Sequence, residues 1–228
     1  MLFDLKATKE NLRNREGKRV FFLGKGDQLT SEARDYLTRE RIEILPASAA
    51  KRETYALLSG GFVTEKPEDM THLNGDVLVK KNHPRIRFRG ALDTLEAELL
   101  LCQLSAAEPL RGKLGEVLAL VRNIVRWDVL NEPVEEKPLC GLTADQLRTH
   151  SHRPQEFYGQ PHFMPSVEDG AVILQLNRCR CAARAAELLA VDAFSDREGN
   201  PTRLDILTQM NRLSSMLYVF MIEEKAGK

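Results

Sequence analysis

From Gly90 to the last residues the apolar side chains return every third or fourth position, and a chain with that period buries them as helices packed side by side. Ala91 to Ala106 is rich in Leu, Glu and Ala, Gly112 to Leu130 repeats the pattern, and Pro133 and Pro138 are expected to end it. A short helix is predicted near Thr143 to His150, with Thr143 as its cap, followed by a loop from Ser151 to Glu168. A long helix then runs from about Asp169 to Phe194, and Gln209-Met210-Asn211-Arg212 opens the last one. Four long helices and a short one predict a mainly α fold, a helical bundle over residues 66–228.

The first 65 residues read differently. Arg19 to Leu23 and Ile42 to Leu45 are strand-like, and Thr30 caps a helix whose apolar positions Ala33, Tyr36 and Leu37 recur at helical spacing. Tyr55 to Leu58 and Phe62-Val63, separated by Ser59-Gly60-Gly61, suggest a hairpin. Residues 1–65 are therefore expected to be a small α+β module whose role the residues do not name.

Charge and length exclude several classes of function. With 33 basic and 33 acidic residues in 228, the chain lacks the positive excess that drives nucleic-acid binding by counterion release. Its start has no basic region followed by an apolar run, and no apolar stretch is long enough to span a bilayer, so a cytoplasmic protein with no membrane partner is expected. The four cysteines form no CxxC, and Cys179 and Cys181 point to different sides of a helix, so reduced thiols and no bound transition metal are expected. His150 and His152, placed in a loop, flank a serine but have no third ligand at a fixed spacing.

Two constellations carry chemistry. A basic run ending in Lys80-Lys81-Asn82-His83-Pro84-Arg85 is read as a loop entering a helix near Gly90 that carries Asp93. A helix start offers unpaired N–H groups at the positive end of its dipole, which suits a phosphate, although a solvated surface has the same composition. Arg180, Arg184 and Glu187, spaced by four and three, share one helical face with Ile173 and Leu176. They are either an exposed pair worth a few tenths of a kcal/mol or two guanidinium forks for a polyphosphate. On the last helix Asn211, Ser215, Tyr218 and Ile222 share a face whose polar start asks for a ligand or a buried partner.

Together these segments resemble the ATP:cob(I)alamin adenosyltransferases. Thr71-His72-Leu73, Gly75, Lys81, Pro84-Arg85, Gly90 and Asp93 are similar to the amino-terminal signature of the propanediol-utilisation type, Arg180-x-x-x-Arg184-x-x-Glu187 to its arginine helix, and Asn211-Arg212-Leu213-Ser214 to its last signature. The ethanolamine-utilisation branch is closer still, through Met70-Thr71-His72-Leu73, His83-Pro84-Arg85-Ile86, Phe88-Arg89-Gly90, Glu132-Pro133 and Asn211-Arg212-Leu213-Ser214-Ser215. The likeness runs from about residue 62 to the end. Thr64 to Asp69 stands where the propanediol type has a glycine turn, Ala185 replaces its second paired arginine and Ser215 its final aspartate. Residues 46 to 70 hold neither the His nor the Cys cluster of some ethanolamine-branch relatives.

The resemblance implies transfer of the 5′-deoxyadenosyl group of ATP, with Mg²⁺, to cob(I)alamin, leaving triphosphate. It assigns Thr71, Lys81, Arg85, Arg184, Glu187 and Asn211 to ATP, with Glu187 orienting Arg184, and it pairs Asp93 with Arg180 across a subunit boundary. Phe163, with Phe157 as the alternative, is the expected aromatic against the corrinoid, and His83 is expected to touch phosphate or corrinoid. A trimer with ATP between subunits is implied, as are microcompartment proteins or a cobalamin-dependent lyase as partners and a place inside a microcompartment. The other function class is a non-catalytic cobalamin carrier or a microcompartment-associated binding protein.

Overall fold

The computed structural model describes residues 2–15, 18–47 and 54–227, which divide into two compact units, Met1–Lys66 and Pro67–Lys228. The first unit runs β1 (Leu2–Phe3), α1 (Leu5–Glu10), β2 (Arg13–Arg15), β3 (Lys18–Leu23), β4 (Gln28–Leu29), α2 (Ser31–Arg39), β5 (Glu43–Pro46), β6 (Tyr55–Leu57) and β7 (Phe62–Val63). β3 pairs antiparallel with β2 and parallel with β5, while β1 lies parallel to β4. Phe21, Leu29, Ala33, Leu37 and Ile42 form its core, with Phe3 edge-on to Phe21 at 5.3 Å. Thr30 caps α2 by accepting from the Ala33 N–H, and β6 and β7 make the hairpin expected there. The short β1, α1, β2 and β4 escaped the sequence reading because strands of two or three residues and a helix of six are too short to show a period.

In the second unit, Thr71 lies in a strand and the stretch read as a loop is a hairpin. β8 (Met70–Asn74) pairs antiparallel with β9 (Val77–Lys80) around Gly75, whose left-handed φ of +48° favours glycine. α3 (Pro84–Ser105) starts six residues earlier than Gly90. Pro84 occupies the first helical position, where its missing N–H costs nothing, and the His83 Nδ1 accepts from the Arg85 N–H at 3.2 Å. α4 (Leu110–Leu130) stops before either proline, because Asn131 turns left-handed at φ +53°.

α5 (Ala144–His152) has the predicted Thr143 cap, completed by a reciprocal bond from the Thr143 N–H to Gln146. His150 and His152 therefore sit in its last turn rather than in a loop. α6 (Pro154–Tyr158) is a single helical turn inside the predicted loop, closed by Gly159 at φ +71°. A 3-10 turn, Val167–Asp169, leads into α7 (Gly170–Ala193), and α8 (Leu204–Ala226) begins well before Gln209.

α7 packs between α3 and α8. Phe88 near the start of α3 meets Phe194 just past α7 at 5.5 Å, and Cys102 near the end of α3 touches Cys179, so the two helices are antiparallel. Leu92, Leu95, Leu99, Leu114, Val121, Leu176, Leu213 and Leu217 are fully buried, and Ala183, Ala186 and Ala190 let the neighbouring helices approach α7 closely. No described helix is long and apolar enough to cross a membrane.

The connection 131–143 has no long element of its own and is held from both sides. Arg203 donates to the Glu132 carbonyl at 2.8 Å, the Val134 N–H to Asp205 at 3.2 Å, and Arg212 to the Lys137 carbonyl at 3.0 Å. The Cys140 N–H donates to Glu116 of α4 at 3.1 Å. Arg203 also holds the Asp205 carboxyl below its usual range.

Candidate functional site

Because α7 and α8 pack along their length, the charged turns of α7 face the polar first half of α8. Arg180 and Arg184 line one cavity of about 290 Å³ with Ser214, Ser215 and Tyr218 of α8, Ser151 and His152 of α5, and His162. Arg180 is positioned on its own helix: its guanidinium donates to Asn177 Oδ1 at 3.1 and 3.3 Å and lies 5.9 Å from the Tyr218 ring. Arg184 is exposed and, among the described residues, makes no hydrogen bond or ion pair.

His162 closes one wall, and the chain fixes its proton. Its Nε2 faces the His152 carbonyl oxygen at 3.3 Å and its Nδ1 the Tyr218 hydroxyl at 2.8 Å, with the two rings nearly parallel. A carbonyl only accepts, so Nε2 donates to it, and with the Tyr218 hydroxyl on Nδ1 both ring nitrogens of His162 are occupied. Burial pushes the Tyr218 hydroxyl up, which keeps it protonated as donor.

A second cavity of about 300 Å³ adjoins the first through His152 and Ser215 and adds Ala144, Leu147, Arg148, Asn211 and Arg212. Asn211 donates to Glu187 Oε1 at 3.2 Å. Glu187 thus holds Asn211 across the α7–α8 seam instead of orienting Arg184, because α8 brings an amide donor to it while Arg184 projects toward the cavity. Arg212, buried, donates to Gln209 and to the Lys137 carbonyl.

The residues of the amino-terminal signature form a separate group. Thr71 pairs with Val79 in the hairpin, Lys81 is exposed just after it, and Asp93 is exposed on α3. Arg85 is not free: its Nε donates to Asp128 Oδ1 and its Nη2 to the Asp128 carbonyl, both at 2.7 Å, while Arg89 takes Oδ2 at 2.6 Å. Asp128 is completely buried, and one nitrogen of Arg89 is buried with no partner among the described residues. Burial, with Arg85 and Arg89 close by, lowers the pKa of His83. None of these residues lines the arginine cavity.

Sequence reasoning missed Asp128, Arg89, Arg148 and His162. Asp128 carried a signal, since it falls on the same stripe of α4 as Val121 and Ile124, where an acid must find a partner. Phe163 is half-buried against the bundle core with Lys225 5.6 Å from its ring, and Lys225 is also ion-paired with Asp169; Phe157 stacks on His150 at 3.8 Å. Neither phenylalanine lines the cavity. Among the described residues no three His, Cys, Asp or Glu side chains gather in a way that could hold a metal ion.

Comparison with known proteins bears on the same segments. Residues 62–224 match the family model described as cobalamin adenosyltransferase. The chain is 38% identical over 160 residues to the corrinoid adenosyltransferase EutT of Salmonella typhimurium, and 36% identical over 160 residues to the protein of that name in Escherichia coli. Each alignment covers 70% of this chain and 60% of the relative's length. With the match spanning the hairpin, both arginine turns of α7 and nearly all of α8, the chain belongs to the cobalamin adenosyltransferase family.

Proposed function

We propose that this chain is a corrinoid adenosyltransferase that moves the 5′-deoxyadenosyl group of ATP, bound with Mg²⁺, to cob(I)alamin. The observation that carries the reading is the convergence of Arg180 and Arg184 on one cavity with the polar start of α8, where the Arg184 fork has no partner among the described residues. The cobalt electron pair attacks C5′, the C5′–O5′ bond breaks, and the electrons leave on triphosphate. No side-chain nucleophile is needed. The protein's tasks are alignment, charge neutralisation on the leaving group and exclusion of water. Arg184 and Asn211 serve the nucleotide, while His162, backed by Tyr218, presents a ring with no spare lone pair.

Thr71, Lys81, His83, Arg85 and Asp93 are proposed to complete this site from another copy of the chain. What supports this is an exposed stripe on α3, Asp93, Ala97, Leu100, Leu101 and Leu104, and one on α7, Cys181, Arg184, Ala185 and Leu188. Each sets a charge among uncovered apolar residues, as in a surface that meets its own kind. A trimer with Asp93 paired to Arg180 of the next copy is the proposed assembly. Ethanolamine utilisation, in the cytoplasm or a microcompartment, is the proposed setting, with shell proteins or a cobalamin-dependent lyase as partners. Residues 1–65 are proposed as a docking module and 66–228 as the catalytic domain.

Given ATP, Mg²⁺ and reduced cobalamin, the protein should form light-sensitive adenosylcobalamin. Arg184→Ala should abolish ATP binding with helicity intact. Ala185 and Ser215, which depart from the family's signatures, favour a second reading as a cobalamin carrier. A carrier would bind the corrinoid and leave ATP unchanged.

A further inference from the structure

The cavity between α5 and the first half of α8 has a composition that the adenosyl transfer alone does not explain. Its wall is mostly polar and contains two guanidinium groups, Arg148 and Arg212, with Ala144 and Leu147 beside them and no carboxylate among its lining residues. Arg148 makes no side-chain hydrogen bond or ion pair among the described residues. Arg212 is 4% exposed, and its buried Nε has no acceptor among the described residues. A buried cationic donor left unmatched costs stability unless something fills the place. Arg212 Nη1 donates to Gln209 and stands 3.8 Å from Glu136, and Nη2 donates to the Lys137 carbonyl, so among the described residues only the Nε–H is left open. Ala144 brings the first turn of α5 to the same wall, and its N–H lies at the positive end of a nine-residue helix.

We propose that this cavity is a second anion subsite that holds a phosphate group, with Arg148 and Arg212 as its donors. It rests on the adenosyltransferase reading only for the source of the phosphate, which is either the far end of the ATP triphosphate or the phosphodiester of the corrinoid's nucleotide loop. The shared wall at His152 and Ser215 places the subsite beside the Arg184 cavity, within reach of one extended ligand.

The direct test is titration of the full-length protein with inorganic phosphate, followed by the arginine Nε–H resonances in NMR. The Arg148 and Arg212 signals should move saturably, and chloride at equal ionic strength should leave them in place. If phosphate moves neither, the proposal is overturned, whatever the enzyme's activity. In turnover, Arg148→Gln should keep the helical signal and raise one KM roughly tenfold, the scale of one charged hydrogen bond. A rise for ATP with cobalamin unchanged assigns the triphosphate. A rise for cobalamin, with ATP and the phosphate-free corrinoid cobinamide unchanged, assigns the nucleotide loop. No change in any of the three overturns the subsite. A wild-type protein that forms no adenosylcobalamin would count against the adenosyltransferase reading, while the phosphate titration would still decide the cavity.

Discussion

Asp128 offers two carboxylate oxygens and a carbonyl to the guanidinium groups of Arg85 and Arg89, and its own side chain has no contact with solvent. Removing one member of a buried ion cluster strands the others without compensation. Asp128→Asn should therefore lower the unfolding free energy by about 3 kcal/mol, measured in urea, while Glu132→Gln at the exposed pair with Arg126 should change it by less than about 1 kcal/mol. His83 gives the pH dependence. Its folded pKa lies below the ordinary 6.5, so the unfolded chain takes up the proton first. Stability from this residue is full above pH 6.5 and is lost as pH falls through 6.5 to the lowered value. His83→Asn, which keeps a capping acceptor, should flatten the fall of Tm between pH 7.5 and 5; an unchanged slope would assign the effect to other groups. The Arg180–Arg184–Glu187 face could be read from spacing because a helix repeats locally. The Arg85–Asp128 bond could not, since it joins positions 43 residues apart that only the packed bundle brings together.

At the scale of elements, the long helices α3, α4, α7 and α8 were legible because each repeats its apolar period over five or more turns. Their ends were less so. The start of α3 hid behind a basic run that reads as loop, although Pro84 after His83 is the better start signal, and α4 ended on a left-handed Asn131 that no proline announced. The hairpin β8–β9 was missed because its strands are four and five residues long and carry Thr, His and Asn among the apolar positions. α5 is the element whose ends matter most for ligand binding, since Arg148 and His152 project from it. Thr143→Ala removes the side-chain arm of its capping box and should cost about 1 kcal/mol in thermal or urea melts, with a larger relative loss in phosphate affinity than in ATP affinity.

The whole bundle is a core whose buried side chains run from Phe88 to Met221. Leu95→Ala, at a fully buried position, should destabilise it by about 3 kcal/mol in urea. Association is tested on the exposed stripes: Leu104→Glu with Leu188→Glu should leave the far-UV signal intact, shift the sedimenting species to a monomer and reduce turnover at least tenfold. Retained trimer mass would remove those stripes from the interface. Finally, Arg203, Asp205 and Arg212 grip the segment between α4 and α5 chiefly by its main-chain atoms, the carbonyls of Glu132 and Lys137 and the amide of Val134, with the Glu136 carboxylate standing farther off at 3.8 Å from Arg212. Every amino acid brings that same carbonyl, and every one but proline the amide. The lettering of that stretch is thus open to drift between related chains, whereas the three anchors reaching down from the last helix are not interchangeable.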